Sequence, residues 1–364
     1  MANIKKTLKR VLPDSLIARL KQIAAWLKSK LYRILSLSGR LSALYYALFS
    51  TKFIREQQGV MYGVWKYYQQ SWQSQHTHYL LRRNIHRLEK GLLMKPRRDI
   101  FAVSYIIETV ECFEKILGGC PVIDSSSQEQ PGMNELEWAY DVLKSYFDLG
   151  AEHPVIDAAR KHFQRMPALV TNGRLVPYQR GVLQPSQVSF EDFMALSHRR
   201  KSVRWYLQRP VPRELIDNAV MAAALAPSAC NRQPFEFRIF DDPELVEKVS
   251  ALPGGTTGFH QNFPVIAALV GKLGAYFNEA DRHLIYIDSS LAAMAFMYAL
   301  ETQGIGACAI NWQEGHSSKK MDTLLGLSLD EKVIMLISLG YPDPEGMVAC
   351  SQKKELSLLR RYND

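Results

Sequence analysis

The sequence predicts an α+β protein: a C-terminal half in which strands and helices mix, preceded by a mostly α-helical N-terminal region. Three observations predict it. Four strand candidates, 235–240, 265–270, 307–312 and 333–339, fall in the C-terminal half with helices between them. Residues 60–170 carry apolar positions at helical spacing and little else, and 171–188, TNGRLVPYQRGVLQPSQV, has two glycines, two prolines and little periodicity. A chain of 364 residues with 47% hydrophobic content exceeds one typical domain and can bury more than one core. The expected organisation is a basic segment 1–58, a helical region 59–170, a linker 171–188 and a second domain 189–364.

The first segment is set apart by charge. The net charge is +9, yet residues 1–55 hold twelve lysines and arginines against one acid, Asp14, a net of +11, which leaves −2 for the rest. After the helix-start signal Pro13-Asp14-Ser15, Leu16, Ile17, Leu20, Ile23, Ala24, Leu27, Leu31, Ile34 and Leu35 recur at helical spacing with lysines and arginines between them. The uncharged continuation 41–51 is bounded by Arg40 and Lys52, far short of the ~20 apolar residues of a membrane span. Two readings stand: the segment lies on an anionic membrane surface, or it packs on the rest of the protein. Charges every few residues and the lack of an A-x-A site argue against a signal peptide. Five cysteines, Cys112, Cys120, Cys230, Cys308 and Cys350, with no CxxC pair, favour a reducing compartment over disulfides or zinc. The expected location is cytoplasmic, peripheral to the inner membrane face through residues 1–55.

In the helical region, 79–93 places Leu81, Ile85, Leu88 and Leu92 on one face with Arg82, Arg83, His86, Arg87 and Lys90 around it. Helices over 100–117 and 134–149 follow, separated by a loop at 118–132 rich in Gly, Ser and Pro. His76 and His78 have no carboxylate or cysteine at ligand spacing, so no metal is expected. No repeat and no catalytic motif occurs in this half. The second domain opens at Ser189, which with Asp192 resembles a capping box.

Chemistry concentrates between His198 and Pro234. Arg199, Arg200, Lys201 and Arg204 put four cations around the hydroxyl of Ser202, a set suited to a phosphate because Arg offers a fork and Lys a point charge. An Ala-rich helix follows and should pack close to a neighbour. It stops at Pro227, where the loop Pro227-Ser228-Ala229-Cys230-Asn231-Arg232-Gln233-Pro234 offers amides and free backbone groups. Asn231 and Gln233 can read a heterocycle edge that both donates and accepts. A phosphate joined to such a ring is a nucleotide or flavin mononucleotide (FMN); the alternative is a solvated basic helix end followed by an ordinary turn.

The order Arg200-Lys201-Ser202-x-Arg204, then Pro210-Val211-Pro212, then Ala226-Pro227-Ser228-Ala229-x-Asn231-x-Gln233-Pro234 resembles the FMN-dependent nitroreductase family. The resemblance continues through Tyr286-Ile287-Asp288-Ser289-Ser290-Leu291-Ala292-Ala293-Met294 and Gly304-Ile305-Gly306-Ala307-Cys308, and covers about residues 189–357. Lys201 stands where the family usually has Arg or His, and Phe235 where Trp is common; neither removes charge or aromatic surface, so substrate choice is what they leave open. The resemblance implies an α/β sandwich with a central sheet covered by helices, and a homodimer whose long helix at 287–303 is buried between subunits. It implies FMN with its phosphate at Arg200, Lys201, Ser202 and Arg204, and with Lys353 and Lys354 near the phosphate or ribityl end. Its ring would lie along Pro227, Ser228, Ala229, Asn231 and Gln233, and backbone groups of Ile310-Asn311-Trp312 would meet N5.

The function expected is hydride transfer from NAD(P)H through flavin to a small-molecule acceptor, with no catalytic side chain, no metal and no nucleic acid. Cys230 and Cys308 read as packing residues, and Gly304-x-Gly306 lacks the third glycine and preceding strand of a dinucleotide fingerprint. One alternative is a flavoprotein performing a specialised redox step in cell-envelope polysaccharide or secondary-metabolite synthesis without NAD(P)H turnover. Another is a membrane-surface scaffold that kept the fold; a scaffold has no need to hold so many cations together.

Overall fold

The computed structural model describes residues 13–71, 79–119, 133–171, 175–315 and 317–363. The chain divides into two compact units between Gln58 and Gly59.

The first unit holds helix α1 (Asp14–Leu35) and helix α2 (Gly39–Phe49). The turn between them is closed by the Ser42 hydroxyl, which donates to the Leu35 carbonyl at 2.9 Å, and by an edge contact of Tyr32 with Tyr45 at 5.8 Å between ring centroids. No described residue of either helix is buried. Helix α3 (Ile54–Ser71) crosses the division.

The second unit begins with α4 (Tyr79–Leu93), α5 (Ile106–Gly119), α6 (Met133–Phe147) and α7 (Pro154–Phe163). Helix α5 starts six residues later than the sequence predicts because Ala102 adopts φ +63, and its carbonyl then receives the amides of Tyr105 and Ile106. The preceding turn is fixed by Phe101, whose ring lies so close to Gly91 that a Cβ there would come within 2.2 Å of it. Helix α7, not singled out from the sequence, has Pro154 in its first turn and the His153 ring accepting from the Val155 amide. His76, His78 and Cys120, and nearly all of the 118–132 loop, lie outside the described residues.

There follow α8 (Phe190–Arg199), α9 (Arg213–Ala224), β1 (Phe235–Phe240), α10 (Pro243–Ser250), β2 (Val265–Lys272), α11 (Leu284–Thr302), β3 (Gly306–Asn311), α12 (Ser318–Leu325) and β4 (Glu331–Gly340). The capping box at Ser189 is formed, each partner's side chain receiving the other's backbone amide. The sheet is antiparallel throughout, in the order β1-β2-β4-β3, with a bulge in β2 between Leu269 and Val270. All four strands fall on the expected segments, within two residues at each end.

Strand β2 is buried on both faces, which is why its sequence is apolar without alternation. Val265, Ala267 and Leu269 join a core with α9 and α11; Ile266 and Ala268 join a second with Val246 and Val249 of α10 and Met321 and Leu325 of α12. The small residues of α9 let it lie directly on α11, and Gln303 ties the pair by donating to the Leu215 carbonyl at 2.9 Å. By length and composition the segment Glu279–Thr302 could cross a membrane; it is the core helix α11, with Ile285, Ala292, Phe296 and Leu300 buried.

Residues 59–170 are not a domain of their own. Val60, Leu81, Phe113, Leu143 and Phe163 share one core with Ile216, Leu269 and Phe296, and Lys66 reaches the nearly buried Asp330 at 2.9 Å. Residue 171 and residues 175–188 therefore belong to one unit rather than lying between two, fastened where Thr171 and the Leu175 amide donate to Asp141.

Candidate functional site

The basic knot lies outside the free edge of β3. Ser202 forms a parallel bridge with Ala307, and the Val203 amide donates to the Ala307 carbonyl at 3.2 Å. The approach requires glycine at 306, since a Cβ there would meet the side chains of Val203 and Pro342 at 2.8 Å. Tyr206 pins the knot from below: its buried hydroxyl donates to the Val203 carbonyl at 2.7 Å and bonds the Ser338 hydroxyl at 2.9 Å, and burial pushes its pKa up.

Of the four cations, Arg199 is paired with Glu301 at 3.0 Å. Arg200, Lys201 and Arg204 are half-buried and have no carboxylate partner among the described residues. Arg204 lines a cleft of ≈ 580 Å3 together with Cys308, Ile310, Asn311 and Trp312, walled on the far side by Leu252 to Gly255 and Phe259. Burial pushes the Cys308 thiol up, while Arg204, the Ser202 side chain and Arg200 oppose that shift. A neutral, 2% exposed thiol packs the cleft floor. Thus the structure brings Arg204 of the knot and Ile310 to Trp312 to one cleft.

The loop 227–234 is built elsewhere, at the entrance to β1. Three of its non-glycine residues hold positive φ: Cys230 at +53, Asn231 at +52 and Gln233 at +49. Such strain persists only where neighbours impose it. Asp288 of α11, 3% exposed, accepts from the Ala229 amide at 3.1 Å, and burial raises its pKa against that bond. Arg232, 4% exposed, donates to the carbonyls of Ala229 and Ala275 and to Asp281, and its guanidinium lies 4.8 Å from the Tyr276 ring centroid. Ser228 Oγ accepts from the Gln233 amide at 3.0 Å. The Gln233 side chain is already engaged, donating to the Ala224 carbonyl at 2.8 Å and accepting from Arg82 at 3.4 Å. Of the two amides expected to read a ring, only that of Asn231 has no side-chain hydrogen bond among the described residues.

The brace from outside the loop is Arg82 of α4, whose Nε donates to the Asn231 carbonyl at 2.7 Å. It is held by Glu135 at 3.3 Å and by the Trp138 ring at 5.4 Å. Sequence reasoning missed Arg82, Arg232 and Asp288. Asp288 carried a signal, one of only two carboxylates, with Glu301 near the far end, in a helix apolar nearly all round; Arg82 carried none, being one of several cations on its helix. Removing it should free the loop. Arg82→Ala is expected to raise amide exchange at residues 231–233 by roughly one to two orders of magnitude, the worth of a charged hydrogen bond, read by hydrogen–deuterium exchange. Unchanged protection would show that Asp288 and Arg232 suffice.

Within one chain the knot and this loop do not meet. They flank opposite edges of the sheet, β3 and β1, separated by about three strand spacings or roughly 14 Å. They also sit at opposite ends of α11: the loop at Asp288, the knot at Glu301, thirteen residues or about 20 Å apart. Lys353 and Lys354 are exposed in the C-terminal tail. Among the described residues no cluster of His, Cys, Asp or Glu could hold a metal, and Cys112, Cys230, Cys308 and Cys350 are free thiols.

The nitroreductase family profile matches residues 198–257 and 258–341, the segment that carries both the knot and the loop. A protein of Archaeoglobus fulgidus named "Putative NADH dehydrogenase/NAD(P)H nitroreductase" is 30% identical over 157 residues, 43% of this chain and 88% of its own length. The chain therefore belongs to the nitroreductase family. It is also similar to iodotyrosine deiodinase of Haliscomenobacter hydrossis, 28% identical over 50% of this chain and 93% of that one. With iodotyrosine deiodinase 1 of Pongo abelii it shares 24% identity over 45% of this chain, and the match spans 66% of that protein's length. Among solved structures, an FMN-dependent nitroreductase from Clostridium difficile R20291 aligns at TM-score 0.41 and 23% identity, over 47% of this chain and 99% of its own.

Proposed function

We propose that the protein is an FMN-dependent oxidoreductase that takes hydride from NAD(P)H and passes it to a small-molecule acceptor. The observation that carries this reading is the set of cations without carboxylate partners among the described residues, Arg200, Lys201 and Arg204, flanking Ser202 in the chain, of which Arg204 lines a cleft together with Ile310 to Trp312. Cations held half-buried without counter-ions suit an anion of charge about −1.5 to −2 such as a phosphate monoester. FMN, when bound, supplies a two-electron carrier that gains and loses hydride at N5. The chain's own part is to bind and orient. Arg200, Lys201, Arg204 and Ser202 would hold the phosphate, and the backbone of 310–312 would close the cleft against the ring.

The ring edge then needs Asn231, which its own chain places too far away. A second copy, antiparallel along α11, would bring its loop 228–231 to this knot, so the functional unit in this reading is a homodimer with two equivalent sites. The exposed side of α11, with Ile287 48% and Leu291 44% exposed, is the apolar surface such a partner would cover. The free cysteines agree with a reducing, cytoplasmic setting.

The protein purified without added flavin is expected to be yellow, to release FMN at about one per subunit on denaturation, and to be bleached anaerobically by NADH or NADPH. A colourless protein that also fails to take up added FMN would sink the proposal. A flavoprotein that dithionite bleaches but neither nicotinamide reduces would leave FMN in place and remove NAD(P)H as the donor. A second reading is favoured by the relatives: turnover of iodotyrosine, assayed beside a nitroaromatic acceptor, would align the chain with the deiodinases instead.

A further inference from the structure

We infer that α1 is a docking helix for an anionic phospholipid surface and lies in the plane of the bilayer interface. At 100° per residue, Leu16, Ile17, Leu20, Ile23, Ala24, Leu27, Leu31, Ile34 and Leu35 occupy one sector of about 120°. The edges of that sector are basic on both sides: Lys21 and Lys28 along one, Arg19 and Lys30 along the other. Gln22 and Ser29 fall opposite its centre. The pattern belongs to a helix half-sunk in an interface, with lysine and arginine stems reaching outward to headgroups from either side of the apolar strip.

Within its own unit that strip is left uncovered. Leu20, Ile23, Leu27 and Ile34 are 50, 54, 56 and 59% exposed, and no described residue of α1 or α2 is buried. Helix α2 repeats the exposure with Leu41, Leu44 and Leu48 at 45, 55 and 65%. A soluble helix bearing six exposed large aliphatic side chains on one sector needs a cover. Charge decides which one. Residues 15–55 contain eight lysines and arginines and no acid, so a second copy of this surface would repel it, whereas an anionic bilayer attracts it. At 22 residues α1 is about 33 Å long, enough to span hydrocarbon, but its five basic residues between 19 and 33 would then sit in the bilayer core. In-plane burial avoids that.

Full-length protein is mixed with vesicles of phosphatidylcholine containing phosphatidylglycerol, and with phosphatidylcholine alone, then sedimented at low and high salt. The expected result is pelleting with the anionic vesicles at low salt, loss at high salt, and little pelleting with the neutral ones. Leu20→Glu with Leu27→Glu should lower partitioning by at least roughly tenfold, with helical circular dichroism unchanged. The inference is overturned if the wild type stays in the supernatant with both vesicles, if it pellets equally with both, or if the double variant pellets as before. It is overturned also if the double variant lowers the mass measured by sedimentation equilibrium in the absence of lipid, since the strip would then be covered by another copy.

Discussion

Replacing Arg200 and Arg204 together by alanine should weaken FMN binding by about two to four orders of magnitude. Each substitution removes a charge-assisted contact of about 1.5–3 kcal/mol to the phosphate. The size of the effect follows from what the two guanidiniums do not do. Neither has a carboxylate partner among the described residues, so their loss breaks no ion pair of the folded chain, and the knot's backbone stays fixed by the Ser202–Ala307 bridge and by Tyr206. Arg204→Lys should recover part of the affinity, keeping the charge but not the fork. Arg199→Ala is the contrasting variant: it is 70% exposed and pairs with Glu301, so flavin affinity should hardly change. Fluorescence titration with FMN reads all three, with thermal unfolding of the flavin-free forms as the check on folding. A double variant that binds as tightly as the wild type would move the phosphate elsewhere in the cleft.

The contrast between knot and loop also marks how far the sequence reaches. Strand β2 was legible because burial on both faces leaves an unbroken apolar run. The knot stood out in the sequence because four cations crowd around one serine within six residues. What was not legible depends on distance in the chain. Gln233 has the right side chain for a ring edge, yet the Ala224 carbonyl and Arg82 consume it, and Arg82 lies 151 residues earlier. The join of residues 59–170 to the rest was hidden for the same reason: the contacts that merge the two cores, such as Lys66 with Asp330, link positions 264 residues apart. A surface run such as 171–188 has the composition of a linker whether or not it separates domains. The start of α5 was misplaced because nothing in Phe101-Ala102-Val103 announces a left-handed residue.

The largest structural consequence concerns two chains rather than one. If loop and knot reach the same ligand only across subunits, Ile287→Glu with Leu291→Glu should convert a homodimer to monomers and abolish FMN binding together, although every cation of the knot is untouched. These residues lie on the exposed side of α11, opposite the buried Asp288, Ala292 and Phe296, so the change adds charge to a surface and not to the core. Sedimentation velocity reads the first effect and flavin content the second. Complementation separates a shared site from a mere loss of stability. Chains carrying Arg200→Ala and Arg204→Ala have a sound loop; chains carrying Asn231→Asp have a sound knot, and aspartate tolerates the positive φ of that position while its carboxylate repels an anionic ligand. Neither variant alone should hold FMN. Refolded as a mixture, each mixed dimer should carry one intact site, sound knot facing sound loop, and one site defective on both sides, so yellow colour returns in the dimer fraction. Were knot and loop to serve the ligand within a single chain, every site in the mixture would keep one defect and the protein would stay colourless.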